Sequence, residues 1–208
     1  MSERQPRLFA LAIEARSVDL GLPDSDIVYR RDLIDPEDGD RLLDELITTS
    51  SWRQDTIRMY GREVPVPRLN AWHGDPGRTY AYSGITLDPE PWTPPLLEIK
   101  ALVEAEAGAA FNSVLVNLYR DGSDGVAWHS DDEPELGPAP TIASVSLGAT
   151  RRFQLRHRED HSRREAIDLE HGSVLVMGGP TQRCWHHQVP KTTRPVGPRV
   201  NLTFRRIL

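Results

Sequence analysis

The second half of the chain is a series of short strand-like segments, and this pattern limits the fold more than any other feature of the sequence. From residue 111 onward, runs rich in β-branched and aliphatic residues are separated by turn-like segments, with no helical pattern between them. The runs are SVLVNLYR, TIASVSLG, RRFQLRHR, SVLVMGG and RVNLTFRRIL. Five or more short strands without intervening helices predict a β-sandwich or a double-sheet jelly roll.

Two segments that precede these strands have helical periodicity. Residues 35–50 offer Asp35 as an N-cap and Pro36 in the first turn. Residues 94–108 predict a second helix that ends at Gly108. The stretch between them, residues 56–87, combines β-like runs with turn residues and predicts hairpins and loops. We therefore expect a mainly β protein with flanking helices.

The distribution of charge matters more than its total. The formal net charge is −6, and residues 1–50 account for all of it with 12 acidic and 6 basic residues. Of the 25 basic residues in the chain, 23 are arginines, whose planar guanidinium suits bidentate contacts to carboxylate or phosphate. Genome composition explains the same bias equally well, so it does not by itself predict a ligand.

Cysteine content and hydropathy favour a cytoplasmic protein. Cys184 is the single cysteine, so the chain forms no internal disulfide, and a reducing compartment fits best. No apolar run approaches the roughly 20 residues that span a bilayer, and the first residues do not resemble a secretory signal. We expect no membrane partner.

The segment AWHSDDEPE, residues 127–135, crowds acidic residues around one histidine. In an extended segment, His129 and Asp131 point to the same side and offer one nitrogen and one carboxylate oxygen to a common point. A further histidine would complete the 2-His-1-carboxylate set of non-haem Fe(II) oxygenases. The candidates that follow in the chain are His157, His161, His171, His186 and His187. A solvated acidic loop is the alternative.

The last strand presents a second unusual face. By alternation, Arg199, Asn201, Thr203 and Arg205 share one side, and apolar residues share the other. Two arginines on one strand face are suited to a dianion, because each guanidinium binds a carboxylate in bidentate fashion. The strand SVLVNLYR similarly has Asn117 and Tyr119 on one face. A sheet with one solvated face would give the same pattern.

Taken together, these motifs resemble the AlkB family of Fe(II)/2-oxoglutarate-dependent nucleic-acid demethylases. The resemblance covers residues 55–208, and HSDDE together with PRVNLTFR is specific to the family. Further motifs that contribute are PRLNAWHGD, YAYSGITL, FNSVLVNLYRDG, IASVSLGATRRF, HGSVLVM and HHQVP. The sequence is more similar to the animal DNA-repair members of the family than to its RNA-modifying branches.

The resemblance implies a double-stranded β-helix (jelly roll) with an N-terminal nucleotide-recognition lobe. We expect an N-terminal extension with a helix in residues 1–50, the lobe in residues 51–110 and the catalytic core in residues 111–208. The implied cofactor is Fe(II), with 2-oxoglutarate and O2 as co-substrates. The implied iron ligands are His129, Asp131 and His187, where His187 is chosen over His186 because it lies in the H-x-V-P context.

The resemblance also assigns the co-substrate and substrate residues. Arg205 would pair with the distal carboxylate of 2-oxoglutarate, and Arg199 would lie nearer the metal. The full co-substrate set is Asn117, Tyr119, Arg199, Asn201 and Arg205. The implied substrate-binding residues are Arg68, Trp72, Tyr80, Tyr82, Asp132 and Glu133. Tyr82 and His129 would sandwich the flipped base, and the acidic residues would favour its positive charge.

The implied function is oxidative demethylation of N-methylated bases such as 1-methyladenine and 3-methylcytosine, with release of formaldehyde. The expected partner is alkylated DNA, single- or double-stranded, with RNA as a further candidate, and we expect a monomer. Two alternatives stay open at this point. One is a 2-oxoglutarate oxygenase that acts on a protein or small molecule, and the other is a non-catalytic nucleic-acid-binding module.

Overall fold

A computed structural model of the chain describes residues 17–59, 62–77, 80–82 and 85–208. Within these residues the strands are β1 (Ser17–Asp19), β2 (Asp26–Arg30), β3 (Thr56–Met59), β4 (Arg62–Pro65), β5 (Leu69–Gly74), β6 (Tyr80–Tyr82), β7 (Ile85–Leu87), β8 (Ser113–Tyr119), β9 (Val126–His129), β10 (Ile142–Gly148), β11 (Arg151–His157), β12 (Arg164–Leu169), β13 (Ser173–Gly178), β14 (Trp185–Val189) and β15 (Arg199–Arg205). The helices are α1 (Pro36–Thr49), α2 (Pro94–Ala107) and α3 (Thr181–Cys184), with a short 3-10 turn at Pro134–Leu136.

The strands form two main antiparallel sheets. The major sheet has seven strands in the order β1-β2-β13-β10-β15-β8-β5, and the minor sheet has four in the order β12-β11-β14-β9. Two separate hairpins, β3–β4 and β6–β7, lie in the stretch that the sequence predicts as hairpins and loops. The predicted double-sheet jelly roll is confirmed. The major sheet takes strands from all three predicted segments of the chain, because β1, β2 and β5 pair into it, and the predicted division into domains stays a prediction.

Both predicted helices form where their capping residues place them. Asp35 accepts a hydrogen bond from the backbone N–H of Asp38, which satisfies a donor that the first helical turn leaves open. Gly108 ends α2 with φ of 59°, a left-handed conformation that favours glycine. No helix in the described part of the chain is long and apolar enough to cross a bilayer.

Strand alternation separates the two faces of the major sheet. Val200, Leu202 and Phe204 of β15 are fully buried against α1 and α2, in one core cluster with the apolar faces of both helices. The intervening residues of β15, beginning with Arg199 and ending with Arg205, therefore face the minor sheet. This is the arrangement that the sequence predicts for the last strand.

A second core cluster fills the space between the two sheets. It includes Tyr119, Phe153, Leu155, Trp185 and Met177, all nearly inaccessible to solvent. The polar face of β15 opens into the same inter-sheet space. The jelly roll thus encloses a row of polar side chains in an otherwise apolar interior, and this is where the candidate active site lies.

Candidate active site

Three side chains converge on one point: two come from strands of the minor sheet, and the third comes from the loop after β9. One potential ligand atom each from His129, Asp131 and His187 lies within 4.8 Å of the others. His129 and His187 are direct partners on β9 and β14, with ring centroids 4.3 Å apart. His186 lies opposite Arg156 on the other face of the minor sheet, so the choice of His187 over His186 agrees with this geometry.

Hydrogen bonds to neighbouring groups hold His129, Asp131 and the loop that carries Asp131 in place. Nδ1 of His129 is 2.9 Å from the carbonyl oxygen of Ala127, so a proton on Nδ1 leaves the lone pair of Nε2 available to a metal. The backbone N–H of Asp131 donates to the side-chain carbonyl of Gln182 in α3 at 2.9 Å. Ser130 donates to the carbonyl of Trp185 at 2.9 Å, which ties the loop after β9 to the start of β14.

The protonation states suit a metal site at neutral pH. Burial lowers the pKa of His187 to about 3, with a further contribution from the neighbouring His129, so its imidazole is neutral. Burial alone would raise the pKa of Asp131, but the charge of Arg205 and the neighbouring histidines outweigh it, and the pKa falls to about 2. A neutral imidazole and an ionised carboxylate are the forms that bind a metal ion.

Arg205 lies at the metal end of the inter-sheet space. Its Nη2 donates a hydrogen bond to Oδ1 of Asp131, and both side chains are buried. The other carboxylate oxygen, Oδ2, lies 3.8 Å from Nε2 of His187. Arg205 therefore holds one oxygen of Asp131 while the other faces the histidines.

Arg199 lies at the far end of the same strand face. It is only 1% exposed, and its Nη2 donates to Ser146 Oγ at 2.9 Å. Its Nε and Nη1 are buried without a hydrogen-bond partner among the described residues. Burial lowers the pKa of Arg199, which means that the site imposes a cost on its charge. Two buried unpaired donors on a guanidinium fit a carboxylate of a bound ligand.

The positions of the two arginines are the reverse of the predicted ones. The family resemblance implies Arg199 near the metal and Arg205 at the distal carboxylate, whereas Arg205 lies against Asp131 in the structure. Arg205 follows Arg199 by six positions along an extended strand, a span of roughly 20 Å between their Cα atoms. Arg199 is thus the one at the deep end, where it pairs with Tyr119 across the sheet.

The other predicted co-substrate residues lie between these two ends. Tyr119 is buried, and the guanidinium carbon of Arg199 lies 5.1 Å from its ring centroid. Asn117 accepts a hydrogen bond from Arg68 Nε at 2.9 Å. Asn201 donates to Ser144 Oγ at 2.8 Å. These residues line one inner cavity, which extends from the metal end to Arg199.

An outer groove meets the inner cavity in front of the candidate metal site. The hairpin edge from Val64 to Pro67 forms one wall, and β9 with the end of β14 forms another. Arg68, His129 and Glu133 line both the groove and the cavity. One carboxylate oxygen of Glu133, Oε2, is buried without a hydrogen-bond partner among the described residues. Glu133 therefore presents an open acceptor at the junction.

Asp132 does not lie where the sequence analysis expects it. It is exposed and pairs with Arg158 of the loop after β11 at 2.7 Å, and it lines neither the cavity nor the groove. The reason is that β9 ends at His129, and the chain turns toward the 3-10 turn, so strand alternation no longer predicts side-chain directions. The substrate-binding role predicted for Asp132 is not supported by this position.

Trp72 is also displaced from its predicted place. It is 4% exposed, belongs to the core cluster between the sheets, and lines neither the cavity nor the groove. Trp72 pairs with Leu115 of β8 at the edge of the major sheet, so its ring packs inward instead of covering a base. The backbones of Tyr80 and Tyr82 belong to β6, and their side chains lie outside the described residues.

Three residues of the site were missed in the sequence. Gln182 binds the backbone of Asp131, and Phe153 stacks on His187 with ring centroids 5.2 Å apart. Arg151 lies behind Tyr119, with its guanidinium carbon 5.6 Å from the ring centroid. Phe153 and Arg151 alternate on one strand, and that alternation was the available signal. For Gln182 in its one-turn helix we find no such signal.

The fold and the candidate site together define a class of protein. A jelly roll holds a 2-His-1-carboxylate set beside a cavity whose far end has a guanidinium with unpaired donors. Such a set leaves metal positions open for a co-substrate and O2, as in non-haem Fe(II) oxygenases.

Comparison with known proteins agrees with this class. The sequence profile described as the 2OG-Fe(II) oxygenase superfamily matches residues 26–205. The chain therefore belongs to the 2OG-Fe(II) oxygenase superfamily, and within it to the AlkB-like proteins. The resemblance to the AlkB family is thus confirmed.

Two curated relatives illustrate the similarity. The alpha-ketoglutarate-dependent dioxygenase alkB homolog 3 of Mus musculus is 44% identical over 186 residues, which cover 84% of this chain and 63% of the relative. The DNA oxidative demethylase ALKBH2 of Homo sapiens is 46% identical over 159 residues, which cover 73% of this chain and 61% of the relative. The chain thus spans a little over 60% of the length of these relatives.

A solved structure supports the fold alone. The structure titled "The structure of OsALKBH1" superposes with a TM-score of 0.64 at 18% identity, over 86% of this chain and 96% of that one.

Proposed function

We propose that the protein is an Fe(II)/2-oxoglutarate-dependent dioxygenase that removes N-linked methyl groups from bases of alkylated DNA. One observation supports this most strongly: the His129–Asp131–His187 set lies between an inner cavity that contains buried arginines and an outer groove that opens to solvent. The inner cavity suits the co-substrate, and the groove gives a larger substrate access to the same metal. The names of the two curated relatives support the same reaction and substrate.

The residues of the inner cavity fit the implied cofactors. His129, Asp131 and His187 would hold Fe(II), because they offer two imidazole nitrogens and one carboxylate oxygen in one cluster. Arg199 would bind the distal carboxylate of 2-oxoglutarate with its two unpaired donors. Asn117, Tyr119 and Asn201 would line the path between the two ends, and Arg205 would hold Asp131 at the metal end.

When bound, iron and 2-oxoglutarate supply the oxidising chemistry: one atom of O2 enters succinate as CO2 leaves, and the other hydroxylates the methyl group, which departs as formaldehyde. The protein positions the partners. Arg205 keeps the Asp131 carboxylate ionised and oriented, and Phe153 stacks against His187 and restricts its ring. The buried apolar residues between the sheets exclude water from the site.

The outer groove supports a flipped, cationic base as the substrate. Glu133 presents a carboxylate oxygen that has no hydrogen-bond partner within the described ranges, at the junction of groove and cavity, and a negative charge there favours 1-methyladenine or 3-methylcytosine by Coulomb attraction. Arg68 lines the same junction. Tyr80 and Tyr82 belong to the proposed nucleotide-recognition lobe and supply the aromatic faces for base stacking. A base reaches the metal only outside the stack, so single strands and damaged duplexes are the accessible substrates.

Several finer features belong to the same proposal. We include RNA as a further substrate, a monomeric enzyme and a cytoplasmic location. A reducing compartment keeps the Cys184 thiol reduced and the proposed iron in its ferrous state.

The test is formaldehyde release from matched oligonucleotides. Single- and double-stranded DNA and RNA carrying 1-methyladenine or 3-methylcytosine are incubated with Fe(II), 2-oxoglutarate and O2, and formaldehyde is measured alongside succinate. We expect formaldehyde in step with succinate from the wild type and none from Asp131→Ala. Succinate that rises with free amino acids or peptides instead of oligonucleotides would favour a protein or small-molecule substrate. Oligonucleotide binding without any succinate would favour a non-catalytic module.

A further inference from the structure

Arg151 is a buried cation that the proposed chemistry does not use. It begins β11 and is 3% exposed. Its guanidinium donates to three backbone carbonyls: Nη1 to Asp121 at 3.1 Å, and Nη2 to Asp124 and Pro190 at 2.8 Å each. None of these acceptors is an ionised side chain, so within the described part of the chain the charge of Arg151 is compensated by carbonyl dipoles and not by a direct ion pair.

The three carbonyls belong to the two connections that frame the deep end of the inner cavity. Asp121 and Asp124 lie between β8, which ends at Tyr119, and β9, which ends at His129. Pro190 begins the connection from β14 to β15, and that strand starts with Arg199. One guanidinium therefore ties together the segments that follow Tyr119 and precede Arg199.

Two guanidiniums lie over the ring of Tyr119. The carbon at the centre of the Arg199 guanidinium is 5.1 Å from the ring centroid, and that of Arg151 is 5.6 Å from it. Burial lowers the pKa of both arginines, and the charge of Arg151 lowers the pKa of Arg199 further. Two buried positive charges that both lie over one ring disfavour each other unless an anion compensates them.

We propose that Arg151 is a positioning residue that makes the deep end of the cavity selective for 2-oxo acids with a second, distal carboxylate. It holds Tyr119 and the two connections in place, and it adds a second positive charge over the Tyr119 ring. This inference rests on the proposed function, because it concerns the same co-substrate site. Arg151 does not line the inner cavity, so it acts through Tyr119 and Arg199.

The test compares two acids of equal length. 2-Oxoglutarate ends in a carboxylate, and 2-oxopentanoate ends in a methyl group. Their dissociation constants are measured on Mn(II)-loaded protein, which does not turn over, by calorimetry for the first acid and by competition against it for the second. We expect Arg151→Met to weaken 2-oxoglutarate about 5- to 20-fold, the size of one or two hydrogen-bond contributions, and 2-oxopentanoate less than about twofold.

Matched variants separate positioning from general damage. Arg152 follows Arg151 on the opposite face of β11, where it is exposed and pairs with Asp168 at 3.2 Å, so Arg152→Met should leave both constants unchanged. Arg151→Lys keeps the charge but loses the fork, and should recover part of the selectivity. If Arg151→Met does not fold, Arg151→Lys takes its place, with a selective loss of about two- to fivefold expected on the same scale.

The outcomes are distinct. Equal weakening of both acids, a weakened Mn(II) affinity, or no change in either acid in the Arg151 variants would overturn this inference. A wild-type protein that binds Mn(II) but neither acid would overturn the proposed function instead. Selective loss for 2-oxoglutarate with Mn(II) affinity retained would support both.

Discussion

The carboxylate of Asp131 is shared between Arg205 and His187. Oδ1 accepts a hydrogen bond from Nη2 of Arg205, and Oδ2 lies 3.8 Å from Nε2 of His187. One oxygen is thus fixed by a permanent cation of the protein, and the other faces the histidines. The pKa of Asp131 falls to about 2 in this setting, so the carboxylate is ionised before any metal arrives. The metal site is preorganised by an arginine that the sequence analysis assigned to the co-substrate.

The first prediction concerns the metal ligands. His129→Ala, Asp131→Ala and His187→Ala should each abolish stoichiometric Mn(II) binding, because a three-residue set has no spare protein ligand. His186→Ala is the matched control, since its side chain lies on the other face of β14 and should leave Mn(II) binding intact. Calorimetry of the purified variants measures this. Loss of binding in His186→Ala together with retention in His187→Ala would reverse the ligand assignment.

The second prediction concerns Arg205 as the partner of Asp131. Arg205→Met leaves a buried carboxylate without its hydrogen-bonded cation and should lower the free energy of unfolding by about 3 kcal/mol. Arg205→Lys keeps the charge and should cost less. Urea denaturation at pH 7 measures both, with the exposed neighbour Arg206→Met as the control that should stay near wild type. A stability loss in Arg206→Met equal to that of Arg205→Met would contradict the buried-pair argument.

The third prediction assigns the distal carboxylate to Arg199. Arg199→Lys retains a charge but not the two unpaired donors, so 2-oxoglutarate should bind about 10- to 100-fold more weakly. Mn(II) affinity should be unchanged, because Arg199 lies at the deep end, away from Asp131. Calorimetry with and without the co-substrate separates the two effects. A variant that loses Mn(II) while its 2-oxoglutarate affinity per bound metal stays normal would return Arg199 to the metal end.

The fourth prediction is a pH dependence of stability that comes from Asp124. Its carboxylate is buried and accepts hydrogen bonds from the backbone and side chain of Arg120. Burial opposes ionisation, but these bonds outweigh it and lower the pKa of Asp124 below its ordinary value of 3.8. Because the folded-state pKa is depressed, the stabilisation is fully present above the unfolded-state pKa and is lost as the pH falls through the folded-state value.

Asp124→Asn should therefore lower the free energy of unfolding by about 2 kcal/mol at pH 7. The difference from wild type should shrink as the pH falls below the ordinary aspartate pKa of 3.8 and then through the lower folded-state pKa of Asp124. Urea denaturation at several pH values measures this, with the exposed Asp168→Asn as the control that changes stability by less than about 1 kcal/mol. A difference that stays constant or grows on acidification would refute the assignment.

Much of this site was predictable, because binding a metal or a carboxylate requires particular residue types. Strand alternation then predicts which of these side chains lie on the same side of a strand. His129 and Asp131 are two residues apart, and the alternating polar face of β15 follows from its period of two. The order of Arg199 and Arg205 along the cavity was not predictable in the same way. It depends on which end of β15 meets the minor sheet, and that is a property of tertiary packing and not of periodicity.

The unexpected positions of Asp132 and Trp72 have physical causes of the same kind. Asp132 lies three positions after His129, the last residue of β9, where the backbone has left the strand. The direction of its side chain is therefore set by the turn and by the ion pair with Arg158. Trp72 lies on β5, the edge strand of the major sheet, where the sequence shows aromatic character but not which side meets the core. At Asp132 the strand alternation has ended, and at Trp72 the alternation does not determine which side of the strand faces the core.

The last prediction transfers the electrostatic role from Asp132 to Glu133. Glu133 lines the junction of the groove and the cavity, and its Oε2 is buried without a hydrogen-bond partner among the described residues. A charge-assisted contact to a cationic base contributes roughly 1.5–3 kcal/mol, so Glu133→Gln should reduce kcat/KM for 1-methyladenine about 10- to 100-fold. A neutral etheno adduct has no such charge and should lose much less.

Asp132→Asn is the matched control: it is exposed and paired with Arg158, so it should leave the ratio of the two substrates unchanged. Both substrates are assayed in one preparation of each variant, with Mn(II) affinity and melting temperature measured in parallel. If Glu133→Gln slows both substrates equally, its carboxylate acts on folding or on the metal loop and not on the charge of the base, and if Asp132→Asn alone shifts the ratio, the base contacts the outer acidic residue after all.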